Sequence, residues 1–451
     1  MTIIKKPLFF LPVESTPREL DYKLNIARKL CRRGMDVIIG NPPFIRDELY
    51  YKNFKGGFLE KGMNPLPSYY KNLKEKNIIL YCLSDEGAAH PAFSVTYEPA
   101  VNSLKLAEKI FLWGEFQKED LIARNPDVDL ISRYQVIGYP GLELSLPKYK
   151  DYHNRLRPAN LKKNYILINT NFGSINGHPI EEILKACPSM SPETLCMVET
   201  SYENEKKGFT LFRQWLDHVI QSFPDEHFLI RPHPVEKKEN YKAYFGKYKN
   251  VTISQAGNAN QIIAGAKLVI HNDCTTALQS YLAGVPVISL AQSNIDFIHA
   301  SWALVFGTQP ESKEQAVKLI THVLQYGHFE ESIRNEISQQ AQEITSKMFC
   351  NLEHSTDILV ETVLSSMHNK FTEFTSYKVK NSRTLLQKIK AFGRKFLPLH
   401  YKVPLAGRVA LSPFNKRDIA QRLSLLNKID GIEQSYKIKK LHPNTYFIAE
   451  E

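Results

Sequence analysis

Short apolar runs alternating with helix-period segments recur from the start of this chain to about residue 368, and this alternation limits the possible folds more than any other feature. Pro7–Val13 reads as a buried strand, after which Leu20, Leu24, Ala27, Leu30 and Cys31 follow at helical spacing and Gly34 marks a stop. Asp36–Gly40 (DVIIG) is the next strand, ended by Pro42-Pro43, and Asn77–Leu83, Lys109–Trp113 and Tyr134–Gly138 continue the series. Apolar runs with helices between them predict parallel strands covered on both faces. A polar, basic stretch, Pro147–Lys163, reads as a linker. A second series opens at Tyr165–Asn169 and continues through Phe228–Ile230, Val251–Ile253, Leu268–His271 and Pro286–Leu290. Between its strands lie an amphipathic helix with the stripe Phe209, Phe212, Trp215, Leu216, Val219 and Ile220, and a shorter helix from about Thr275 to Leu282 that ends at Gly284. Helical patterns fill roughly 312–368. The expected architecture is α/β: two Rossmann-like lobes, 1–155 and 156–368, then a basic, partly amphipathic tail, 369–451.

Length and composition agree with two domains. The chain has 451 residues, 43% hydrophobic and 23% charged, which is globular rather than disordered. Its net charge of +11 points to a polyanionic partner: nucleic acid, an anionic bilayer or a phosphorylated substrate. No aromatic-basic platform or recognition motif supports nucleic acid. The cysteines Cys31, Cys82, Cys187, Cys196, Cys274 and Cys350 form no CxxC pair, a pattern of reduced thiols in a cytoplasmic protein. The apolar run at the N-terminus is short for a signal peptide, and no stretch approaches the ~20 apolar residues of a membrane span.

Three local patterns could carry chemistry. Ile230-Arg231-Pro232-His233-Pro234 ends an apolar strand, where open α/β sheets bind ligands. Arg231 can fork onto a phosphate, His233 can donate to one, and the two prolines, Pro234 among them, stiffen the turn. A solvent-exposed basic turn is the plainer reading. The second pattern runs from a buried strand into His271-Asn272-Asp273 and then Cys274-Thr275-Thr276, where a helix opens. Free N–H groups and hydroxyls there suit an anion, with Asn272, Thr275 and Thr276 as donor-binding candidates, although simple N-capping would explain them too. The third is Ser84-Asp85-Glu86-Gly87 after the strand NIILYCL; Asp85 or Glu86 could act as base or nucleophile, or the phrase could be an exposed turn. Glu14, Arg18, Glu19 and Asp21 could simply pair along the first helix. P-loop, GxGxxG, GxSxG, HExxH and cysteine-rich metal motifs do not occur, so neither a metal nor another cofactor is expected.

In order along roughly residues 7–365, the phrases IIGNPPF, LSDEG, FLWGEFQKEDL, VIGYPGLEL, YILINTNFG, LIRPHP and LVIHNDCTTALQSYLAGVPVIS resemble bacterial surface carbohydrate biosynthesis proteins. More distantly, the pattern is similar to GT-B glycosyltransferases that use CMP-activated acidic sugars, the sialyltransferases and Kdo transferases. The resemblance implies a metal-independent transferase moving Kdo or a related sugar from a nucleotide donor to a lipid-linked or oligosaccharide acceptor. Glu86 (or Asp85) then stands at the carboxylate of an acid-acid-Gly motif, His233-Pro234 at the donor phosphate, and Thr275-Thr276 at the hydroxyl pair. Tyr139 and Gly141 depart from the relatives' pattern, and Glu199 and Glu203 are further carboxylate candidates. A CDP-polyol phosphotransferase of the teichoic-acid type and a sugar-nucleotide 2-epimerase share the plan; a basic scaffold is the non-enzyme alternative. In the tail, Leu385, Ile389, Phe392 and Phe396 form an apolar stripe flanked by Lys388, Lys390, Arg394 and Lys395, so 385–397 could lie on an anionic membrane or pack on the protein.

Overall fold

The computed structural model describes residues 3–4, 6–85, 94–177, 180, 182, 184, 191–290, 301–370, 377–378 and 413–451. Glu86 and the stretch 385–397 lie outside them. The chain divides into two compact units, Met1–Glu143 with Lys347–Glu451, and Leu144–Ser346.

The first unit is built on strands β1 (Leu8–Pro12), β2 (Asp36–Gly40), β3 (Gly56–Glu60), β4 (Ile78–Leu83), β5 (Lys109–Leu112) and β6 (Tyr134–Val136). They pair in parallel in the order β2-β1-β3-β4-β5-β6. β1, β2, β4 and β5 are mostly apolar because helices cover both faces, as the run-and-helix pattern predicts. Strand β3 was not expected from the sequence, since GGFLE carries no apolar run. Its glycines answer to close packing: a Cβ on Gly56 would stand 1.9 Å from the Leu8 carbonyl oxygen, and one on Gly57 would meet the Phe9 ring at 2.5 Å.

The unit also takes in chain that the sequence reading assigned elsewhere. Helix Ser355–Lys370 packs on helix Thr16–Arg32. Residues 413–451 form helix Lys416–Ile429 and a terminal hairpin of strands β12 (Tyr436–His442) and β13 (Thr445–Glu450). β13 pairs antiparallel with β2, so the sheet runs β12-β13-β2-β1-β3-β4-β5-β6. Of the charged residues of the first helix, Glu19 pairs along the helix with Lys23 at 2.7 Å, whereas Asp21 accepts from Arg422 at 2.8 Å and wholly buried Arg28 reaches Asp430 at 2.5 Å.

The second unit contains β7 (Tyr165–Asn169), β8 (Phe228–Arg231), β9 (Val251–Ile253), β10 (Ala266–His271) and β11 (Val287–Ser289), all parallel in the order β9-β8-β7-β10-β11. Helix Pro192–Ser222 covers one face with Phe209, Phe212, Leu216, Val219 and Ile220 buried, the stripe read from the sequence. The stretch expected to be a linker belongs to this unit instead. It contains helix Lys150–Leu156, which packs on helix Ala259–Ile263; Tyr152 and His153 are buried, and His153 Nε2 is 2.7 Å from the Leu144 carbonyl oxygen. Among the described residues no helix is long and apolar enough to cross a membrane.

Candidate functional site

In the second unit the chain leaves β7 to one side for β8 and β9 and returns on the other for β10 and β11. The order therefore reverses at β7 and β10, and the crevice beyond their carboxyl ends is where such sheets take ligands. Three segments meet there: 169–172, 231–236 and 271–276.

The turn after β7 is already committed. Asn171 donates from its backbone N–H to Asn272 Oδ1 at 3.0 Å and from Nδ2 to Asp273 Oδ1 at 3.1 Å; Asn272 Nδ2 also donates to Asp273 Oδ1 at 2.7 Å. Buried Glu236 accepts from Thr170 Oγ1 at 2.9 Å, Phe172 N at 2.7 Å and the Tyr241 hydroxyl. Buried Glu205 accepts from Ser174 N at 2.9 Å and Ile175 N at 3.3 Å. In a Rossmann unit those N–H groups after the first strand would face a pyrophosphate. Here two carboxylates of the protein, Glu236 and Glu205, hold them, so these N–H groups are not open to a ligand anion.

The neighbouring edge is formed by Arg231, Asn169 and His271, which stand in register across β8, β7 and β10 and so share one face of the sheet. Each holds a buried atom without a hydrogen-bond partner among the described residues: Arg231 Nε, Asn169 Oδ1 and His271 Nε2. No described carboxylate pairs with Arg231; burial pulls its guanidinium pKa down, opposed only by Cys274 and Tyr165. Arg231 as a whole is half-buried, so its guanidinium is partly desolvated with no acid beside it, a cost that an arriving anion would compensate. The hydroxyl pair divides at the start of the adjoining helix Thr276–Leu282. Thr275 is exposed and its side chain makes no cap bond, whereas Thr276 is buried, with Oγ1 accepting from Asn169 Nδ2 at 2.9 Å and meeting Cys274 Sγ at 3.1 Å. Asn272 is likewise buried and engaged. His233 is half-buried, and its Nδ1 accepts from Val235 N at 3.4 Å, which places the proton of the neutral ring on Nε2; Pro234 beside it is exposed.

His271 Nδ1 accepts from Cys274 N at 3.1 Å, and burial lowers its pKa from the usual 6.5 to about 3. In the unfolded chain the ring takes up a proton near 6.5, while in the folded unit it does so only near 3. The associated stability is therefore full above 6.5 and lost as pH falls from 6.5 towards 3, at about 1.4 kcal/mol per unit. His271→Asn keeps an acceptor but does not titrate. Its melting temperature should fall less than wild type's between pH 7 and pH 5; parallel curves would contradict the buried neutral ring.

In the first unit Asp85 follows β4, beside the carboxyl ends of β1 and β3. Its Oδ1 accepts from the Tyr22 hydroxyl at 2.7 Å and the Tyr139 hydroxyl at 3.0 Å, and Lys61 Nζ stands 3.7 Å from Oδ2. Burial pushes its pKa up; Lys23 pulls it down and Glu19 pushes it further up. Tyr139 is stacked on Trp113 at 4.1 Å, and Trp113 Nε1 donates to the Ser84 carbonyl at 2.8 Å. Glu19, expected at the helix surface, is buried. Its carboxylate accepts from Glu14 N, Ser15 N and Lys23 Nζ; although burial alone would raise its pKa, Lys23 and Lys61 hold it down to about 2. Sequence reasoning did not single out Tyr22, Lys61, Glu205 or Glu236. In the phrase ETSYENE, Glu199 and Glu203 are exposed and the last acid, Glu205, is the buried one; its spacing from Phe209, Phe212 and Leu216 on the apolar stripe was the available signal.

No protein-family model and no curated protein matches the sequence. Among solved structures, the wall teichoic acid polymerase TagF is similar at a TM-score of 0.51 with 9% identity, over 81% of this chain and 90% of that one. A TagF structure soaked with CDPG gives 0.50 and 10% identity, over 82% and 90%. The chain has the GT-B fold. A UDP-GlcNAc 2-epimerase from Neisseria meningitidis bound to UDP-GlcNAc aligns over 80% of this chain and 100% of that one, at 12% identity and a TM-score of 0.43. At 9–10% identity the likeness to TagF concerns the fold and not the reaction.

Proposed function

We propose that the protein is a glycosyltransferase that moves an acidic sugar of the Kdo type from a CMP donor to a lipid-linked or oligosaccharide acceptor of a bacterial surface polysaccharide. One observation carries the reading: the half-buried guanidinium of Arg231, its Nε buried without a hydrogen bond and no described acid beside it, at the carboxyl edge where a Rossmann unit takes its ligand. Arg231 and Thr275 receive the donor's anionic groups, and His233 donates to the phosphate that leaves. Asn272, Pro234 and Thr276 shape that edge from behind. In the first unit Asp85 and Glu86 are the acceptor-side carboxylates. Asp85 accepts from the phenols of Tyr22 and Tyr139, so the proton-accepting role is assigned to Glu86 and Asp85 is the positioning carboxylate beside it in sequence.

A CDP-polyol phosphotransferase is the second reading, favoured by the likeness to TagF. Turnover with CMP-Kdo supports the first and turnover with CDP-glycerol the second; isomerisation of UDP-GlcNAc would replace both with an epimerase. On the active donor, Glu86→Gln should lose about 10²–10⁴ in kcat with donor affinity retained, the scale of a lost general base. Asp85→Asn should lose less. Full activity in both variants would remove these carboxylates from the mechanism.

A further inference from the structure

In the first unit, helices Pro42–Tyr51 and Pro67–Glu75 cover one side of the sheet and touch each other. Where the first of them ends, Tyr50 and Tyr51 are 43% and 51% exposed. Their rings meet edge to face at 5.0 Å, and Tyr50 lies parallel to Tyr69 of the neighbouring helix at 6.0 Å. Lys76 Nζ sits 5.4 Å from the centre of the Tyr50 ring and donates to the Tyr50 carbonyl. Lys71 and Lys74 are exposed on the second helix.

The edge strand β12 extends this surface. Lys437 and Lys439 stand opposite Ala449 and Phe447, which belong to the core beneath these two helices, so both lysines are turned to the same side. β12 runs parallel to β2 through two antiparallel pairings, which puts Lys437 at the amino edge of the sheet. Helix Pro42–Tyr51 returns from the carboxyl end of β2 and ends at that same edge, and Lys76 lies just before β4 begins. Exposed tyrosines and lysines therefore share one border; of the acids on these helices Glu48 is held by Lys52, while Asp47 and Glu75 are exposed and outnumbered by Lys71, Lys74, Lys76, Lys437 and Lys439.

Tyrosine rings with a wet hydroxyl settle at the headgroup level of a bilayer, and lysines beside them meet lipid phosphates. A second copy of the same surface would bring lysines against lysines. We propose that this aromatic-basic border of the first unit docks on an anionic lipid bilayer. The inference is independent of the donor site and of residues 385–397.

Full-length protein is floated with vesicles of phosphatidylcholine alone or mixed with phosphatidylglycerol. Wild type should float only with the mixed vesicles. Tyr50→Ser with Tyr51→Ser, and separately Lys74→Glu with Lys437→Glu, should each weaken flotation ~10-fold or more with melting temperature unchanged. Reversal of Lys388, Lys390, Arg394 and Lys395 to Glu is the contrast. If that variant alone stops flotation and the two surface variants float like wild type, the proposal is overturned. It is equally overturned if wild type ignores the mixed vesicles, including the case of a dimer in solution that the tyrosine variant breaks.

Discussion

Replacing Arg231 with Met should lower turnover on the true donor by about 10²–10³, the usual loss when one preorganised donor to a developing charge is removed, without lowering the melting temperature. The two expectations pull apart the roles an arginine can have. A guanidinium that supports the fold through an ion pair leaves its partner stranded when removed, and stability falls. Arg231 has no such partner among the described residues, and its Nε is buried without a hydrogen bond. Met therefore removes a partly desolvated charge and fills similar space, so the folded protein should be about as stable as before. Arg231→Lys keeps the charge but not the fork and should fall between. His233→Ala should lose activity on the same scale, again with an intact fold. Loss of stability in Arg231→Met would make the residue structural, and retained turnover would remove it from the donor site.

Much of this architecture is legible in the sequence because parallel strands covered on both faces must be apolar throughout. DVIIG and YILIN are strands to the residue. GGFLE is hidden because its strand character comes from glycine against neighbouring backbone and rings, a tertiary demand without a local signature. Residues 436–450 read as a basic tail because Lys437, Lys439 and Lys440 dominate the outer strand, whose edge faces water. The apolar partner strand TYFIAE was the counter-signal. At the site, RPHP and the DCTT turn are visible as residue types at a strand end, but which threonine faces outward depends on the register of Asn169 beside Thr276. What Glu205 and Glu236 hold was hidden for the same reason, since their backbone N–H partners lie about 30 and 64 residues away, although the burial of Glu205 could be read from its place on the apolar stripe.

Deleting 413–451 should unfold the first unit altogether. The segment buries Phe414, Ile419, Leu423, Leu426, Tyr446, Phe447 and Ile448. At about 1.5–3 kcal/mol each, their loss is on the order of 10 kcal/mol, comparable to the ~5–15 kcal/mol that stabilises a whole domain. The deletion also exposes the edge of β2 and strands the buried guanidinium of Arg28, which reaches Asp430. Limited proteolysis of the truncated protein should leave a resistant fragment near 144–346 and digest the remainder. A truncated protein with a protease-resistant first unit would show that the hairpin is an appendage. Supplying 413–451 as a separate peptide is the complementary test, with recovery of the first unit's protection as the expected result.

Isothermal titration of the wild type and of Arg231→Met with CMP, CDP, UDP and GDP tests the central claim most directly, because it needs no acceptor and no knowledge of the sugar. Cytidine nucleotides should bind the wild type, and the Met variant should bind them at least ~10-fold more weakly, the scale of a lost charge-assisted contact. Failure of every nucleotide to bind the folded wild type, or equal binding by both proteins, would contradict the assignment of Arg231 and its neighbouring strand ends as the donor site.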